Sequence, residues 1–179
     1  MLARLSFALI TVLSLAAPAF AQRDHLAVFR DIERQVASYP NLTIFDNIEA
    51  SINGGVVTLT GKVTMPFKRN DLSRRVARID GVQQVVNEID VLPASIMDDQ
   101  LRWQAARAIY TDPYFQRFAA MPNPPIRVIV ENGRVTLAGV VRNDMDRLLA
   151  RSRLIGLRAL EVKNALRTDA EMEALLEKI

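Results

Sequence analysis

The segment Val57-Thr58-Leu59-Thr60-Gly61 returns as Val135-Thr136-Leu137-Ala138-Gly139, 78 positions later. Solenoid units recur every ~20–50 residues, so one recurrence at this distance is a small domain copied once. Whatever this chain folds into is therefore built twice from the same elements.

The first copy opens with Phe29, Ile32 and Val36 on one stripe of a helix over 26–39. Ile48, Ala50 and Ile52 then alternate along a strand, and Asn53-Gly54-Gly55 makes a tight turn into Val57 and Leu59 on the return strand. A second helix over 66–79 begins at Pro66 and is stopped by Gly81, where proline and glycine are favoured. It is expected to turn Leu72, Val76 and Ile79 inward and Lys68, Arg69, Arg75 and Arg78 outward. A last strand over 83–92 alternates Val85, Asn87, Ile89 and Val91.

The second copy repeats the order. A helix over 98–110, continued over 113–120, leads through Pro122, Pro124 and Pro125 into a strand over 126–130. Asn132-Gly133 is a strong two-residue hairpin signal, and the return strand runs to Gly139. A helix over 143–155 ends at Gly156, with Arg147 and Arg151 expected on the face away from Met145, Leu148 and Ile155. A strand over 159–166 follows. The fold class is thus α+β: two tandem αββαβ domains, each a small three-stranded sheet with two helices packed on one face.

The ends and the joint follow from simpler signals. Residues 1–21 place Arg4 before a 13-residue apolar run and end in Ala19-Phe20-Ala21, the layout of a cleaved secretory signal peptide. A spanning helix needs roughly 20 apolar residues, so this run is too short to cross a bilayer, and no later stretch suffices. The expected division is 22–92 for the first domain, a linker over 93–97 where Pro93 blocks the strand, and 98–167 for the second. Residues 168–179 are expected to form an amphipathic helix, because Thr168 and Glu171 fit a capping box ahead of Met172, Leu175, Leu176 and Ile179. There is no cysteine, so the two cores hold without disulfides.

The phrase "NGxVTLxG", a helix ending in Gly-Val or Gly-Leu and a last strand with "VxNxI" resemble the BON domain. That family is known from bacterial osmotically inducible periplasmic proteins and nodulation-related proteins. The residues that carry the likeness are Gly55, Val57, Leu59, Gly61, Gly81, Val82, Val85, Asn87 and Ile89 in the first copy. In the second they are Gly133, Val135, Leu137, Gly139, Gly156, Leu157, Asn164 and Leu166. The second copy departs in one respect, with eight residues from Gly156 to Asn164 where the first has six from Gly81 to Asn87. Gly61 and Gly139 are read as a bend or a close helix approach, and Asn87 and Asn164 as inward amides in structural hydrogen bonds.

Nothing in the chain reads as an enzyme. With one histidine, His25, and no cysteine, there is neither a metal-ligand set nor a nucleophile–base pair, and no cofactor is implied. Asp98, Asp99, Asp144 and Asp146 fall at helix starts, where the helix dipole favours them. Charge is uneven: residues 22–92 carry nine basic and nine acidic side chains, residues 93–168 twelve and seven. The second half therefore suits an anionic partner. Nucleic acid is disfavoured by the secretion signal. The resemblance implies a periplasmic module that meets phospholipid, and the candidate contacts are Arg102, Trp103, Arg107 and Tyr110 on the first helix of the second copy, with Arg142, Arg147 and Arg151 on its second. An aromatic ring beside cations suits an anionic membrane interface. A module that binds another envelope protein, or a chaperone-like assembly factor working through exposed sheet edges, stays open beside this reading.

Overall fold

The alternation Ile48, Ala50, Ile52 and Val57, Leu59 yields a hairpin in the computed structural model, which describes residues 25–177. The expected signal peptide, residues 1–21, and the last two residues of the expected C-terminal helix lie outside the described residues. The first domain runs α1 (His25–Ala37), β1 (Asn47–Asn53), β2 (Val56–Val63), α2 (Pro66–Val76) and β3 (Gln84–Val91). The second runs α3 (Ile96–Tyr110), the short α4 (Gln116–Ala119), β4 (Ile126–Glu131), β5 (Arg134–Val141), α5 (Asp144–Ser152), β6 (Glu161–Asn164) and β7 (Arg167–Thr168). A final helix, α6 (Asp169–Leu176), starts on the Thr168–Glu171 capping box and packs against β5 and β7.

Each sheet is an antiparallel hairpin to which a crossover helix adds a parallel strand. Val57 stands opposite Val85 and Leu59 opposite Asn87 in the first domain. Val135 stands opposite Val162 and Leu137 opposite Asn164 in the second. The two extra residues after Gly156 are thus taken up before the strand, in the loop ahead of Glu161. Strands β6 and β7 keep one register against β5, since Val141 faces Thr168 as Val63 faces Val91. They are one strand interrupted at Ala165 and Leu166.

The two helices of each domain share one sheet face. Val28 and Ile32 of α1 and Leu72 and Val76 of α2 meet Val57, Leu59, Val63 and Ile89. Leu101, Ala105 and Ile109 of α3, with Ala150 of α5 and Leu154 just after it, meet Val128, Val130, Val135 and Leu137. The strand asparagines join helix to sheet identically. The Asn87 amide donates to the Arg69 carbonyl at 2.9 Å, and the Asn164 amide to the Arg147 carbonyl at 2.8 Å.

Three polar side chains on the helices, Lys68, Asp98 and Asp146, go inside, the first against the sequence reading. Lys68, expected outside, is buried with its Nζ 2.7 Å from Asp46. Asp146, at the matching place on α5, is buried against the Tyr114 hydroxyl and Arg142. Asp98 is buried too, and its carboxylate accepts from the N–H groups of Asn132 and Gly133 at 2.8 Å each, closing the β4–β5 turn. An Asp98→Ala change leaves both turn donors without an acceptor and is expected to cost about 2 kcal/mol in chemical denaturation. A loss within experimental error would mean the turn holds itself.

Candidate functional site

Helix α5 sets the geometry of the second domain's outer surface. Asp146, Ala150 and Leu154 point into the core, one helical turn apart. Met145 and Leu148, with Ile155 in the turn that follows, therefore point straight out, 70%, 62% and 84% exposed. This reverses the expected orientation, in which those three were turned from the solvated arginine face. An apolar stripe facing solvent is the feature that periodicity alone hid, because α5 carries two apolar stripes and only one of them is core.

The seven basic and aromatic candidates separate into two groups. Arg102 is buried, donating to the Val130 carbonyl at 2.8 Å and pairing with Asp99. The Tyr110 hydroxyl donates to the Ile126 carbonyl at 2.5 Å, and burial pushes its phenol up to about 12. Both side chains serve the outer edge of β4 and lie off the surface. Arg142 is held by Asp146 at 3.3 Å and by the Tyr114 hydroxyl at 2.8 Å, and the Asp146 hydrogen bond raises its pKa further. Arg147 pairs with Glu171 at 2.9 Å and with Asp144, so it ties α5 to α6.

The other three stay available. Trp103 is 63% exposed, its ring edge-on to Phe45 at 5.1 Å between centroids, with Arg107 one turn on and Ile96 seven residues before it on the same stripe. Arg107 and Arg151, together with Arg158 beyond α5, are exposed and have no ion pair among the described residues. Each helix thus carries exposed apolar side chains and free guanidinium groups on its outer face. Sequence reading missed Ile96, Met97, Met145, Leu148 and Ile155. The repeat held the signal for α5: Leu72 and Val76 of α2 map onto Ala150 and Leu154, so the inward stripe is the one through those residues.

A BON domain model matches residues 30–93 and 115–154, more than half of the chain. The chain belongs to the BON family. As a BON protein it is a binding module of the periplasmic or membrane-associated kind, and the BON domain is a non-catalytic one. Solved structures similar to this BON chain include CdsD, a structural protein of the type III secretion system of Chlamydia trachomatis. One is 14% identical, covering 84% of this chain and 97% of that one at a TM-score of 0.30. The other, its C-terminal domain, is 17% identical, covering 86% and 71% at a TM-score of 0.32. Among curated proteins none matches. Among the described residues no helix is long and apolar enough to cross a membrane, and no group of three or more histidine or acidic side chains could hold a metal ion.

The BON domains touch through the loops ahead of their hairpins. The turn after α1 sends the Ile44 carbonyl to the Val128 N–H at 2.7 Å and Phe45 onto the second core. In return Asn123 donates to the Ala37 carbonyl at 2.6 Å. Lys62 with Glu131 at 2.7 Å, and Arg167 with Glu49 at 3.4 Å, complete the junction.

Proposed function

We propose that this BON protein attaches peripherally to anionic phospholipid at the periplasmic membrane surface, through the outer faces of α3 and α5. The observation that carries the reading is the outward stripe of Met145, Leu148 and Ile155 with free Arg151 and Arg158, together with Trp103 exposed on α3. Apolar side chains enter the headgroup boundary, tryptophan favours that depth, and each basic group near an anionic leaflet adds about 1 kcal/mol. Binding of this kind is reversible and salt-sensitive, as a module working in envelope maintenance or osmotic stress requires. In this reading the second domain is the contacting one, because α3 and α5 both belong to it.

Cosedimentation of the mature protein with vesicles tests this. Pelleting with anionic vesicles should exceed that with zwitterionic ones and decline as salt rises. Replacing Arg151 and Arg158 together by Gln should weaken binding about 30-fold, since two contributions are lost, with the thermal melt unchanged. Trp103→Ala should weaken it in a less salt-dependent way. Equal binding to both vesicle types would reject the proposal and put the assembly-factor reading first.

A further inference from the structure

The two hairpins are copies, yet their outer edges end differently. In each, the pair closing the turn faces inward on the ladder, so every second residue of the edge strand points its N–H and C=O away from the sheet. On β4 those residues are Ile126, Val128 and Val130, and their outward groups are engaged one after another. The Ile126 carbonyl accepts from Tyr110, the Val128 N–H donates to Ile44, and the Val130 carbonyl accepts from Arg102. All three residues are 0% exposed.

On β1 the matching residues, 78 positions earlier, are Ile48, Ala50 and Ile52. Among the described residues no hydrogen bond reaches their outward N–H or C=O groups, and all three are only half-buried. The reason lies in the sequence. The place of Tyr110 is taken by Ile32, an apolar residue that cannot donate. Beside this edge runs a cleft of about 410 Å³ between the two domains, walled on one side by Phe29, Ile32 and Val36 of α1 with Ile48 and Ala50 of β1, and on the other by second-domain residues that include Pro125, Val140 and Met172. Strand β1 has no proline, lysine or bulge over Asn47–Asn53, and its one charged side chain, Glu49, is engaged by Arg167.

We propose that the β1 edge is a peptide-docking site, where an extended segment of a partner protein adds beside the strand and sends apolar side chains into the cleft. A row of alternating free donors and acceptors is complemented by another backbone, the strand-addition mode of recognition. The sister edge shows a natural occupant within this molecule: a peptide carbonyl on the middle N–H and a phenylalanine ring beside it. The partner is therefore an unpaired strand or tail with bulky β-branched or aromatic residues at alternate positions. This site lies where the first domain meets the second, and none of its walls comes from α3 or α5, so it stands apart from the membrane reading.

The probe is a capped octapeptide in which valine and phenylalanine alternate with threonine, titrated into the mature protein. Binding should slow hydrogen exchange at the Ile48, Ala50 and Ile52 amides and leave the ladder amides unchanged. Ala50→Pro removes one outward donor and no ladder bond, because Ala50 faces Leu59 as a non-bonded pair. It should weaken the peptide about tenfold. If that variant does not fold, the exchange pattern of the native chain decides. No protection at those three amides, or equal affinity in a folded Ala50→Pro protein, overturns the proposal. Protection that depends on protein concentration without peptide also overturns it, in favour of a second copy as the occupant.

Discussion

Lys68→Ala is expected to cost about 3 kcal/mol at neutral pH, among the largest single-residue losses in the first domain. Asp46 lies almost wholly out of solvent and collects five donors: the N–H and hydroxyl of Thr43, the N–H and hydroxyl of Thr64, and Lys68. Burial opposes its ionisation, but the hydrogen bonds from Lys68, Thr43 and Thr64 outweigh burial and hold the carboxyl below its usual value. Removing the ammonium leaves a buried carboxylate without its counter-charge. The pH dependence gives a second check. A carboxyl depressed in the folded state adds stability above its unfolded pKa of about 3.9, and that stability drains away as pH falls through the depressed value. The native protein therefore loses this contribution in acid, whereas the variant has less to lose. The gap between the two should narrow below about pH 4. Urea titrations at neutral and acid pH measure it, and a gap that stays constant, or one under about 1 kcal/mol at neutral pH, would falsify the account.

The fold class was legible because one phrase occurs twice. Periodicity placed the helices and strands, and the turn residues of Asn53-Gly54-Gly55 and Asn132-Gly133 placed the hairpins. What did not show was which polar residues turn inward. Lys68 and Asp146 occupy the same site on the crossover helix, and each sits among otherwise apolar inward positions. Pattern reading sends any charge outward, since it does not see the partner that receives it. Those partners come from distant chain: Asp46 lies 22 residues before Lys68, and Tyr114 lies 32 before Asp146. Arg102 and Tyr110 were misplaced for the same reason. Each sits on a helix that alternation leaves ambiguous, and only the spare backbone groups of β4 draw them in. The surface candidates depended on these inward choices, so the set proposed to face the membrane shifted toward residues that are apolar and exposed.

The duplicated glycine is where sequence and structure meet most closely, and Gly139→Ala should be the most damaging conservative change in the second domain. This glycine was expected to make a bend or a close approach to a helix. Its actual partner is backbone at the start of the first hairpin strand. A Cβ on Gly139 would stand 2.0 Å from the Pro125 carbonyl oxygen, and one on Gly61 would stand 2.1 Å from that of Asn47. Both glycines hold positive φ, +110° and +116°, a region in which a side chain alone costs 1–3 kcal/mol. Clash and strain act together, so each alanine should cost about 3 kcal/mol or more. The two sites are not equal. Asn47 has no ring to fix its φ, whereas Pro125 follows Pro124, and two fixed φ angles leave that carbonyl little room to retreat. Gly139→Ala is therefore expected to lower stability more than Gly61→Ala, with a fall in Tm on the order of 10 °C. Thermal melts of both variants provide the comparison. If Gly61→Ala proves the worse of the two, proline rigidity does not set the cost. If Gly139→Ala melts within about 2 °C of the native protein, the close strand approach is not what this glycine is for.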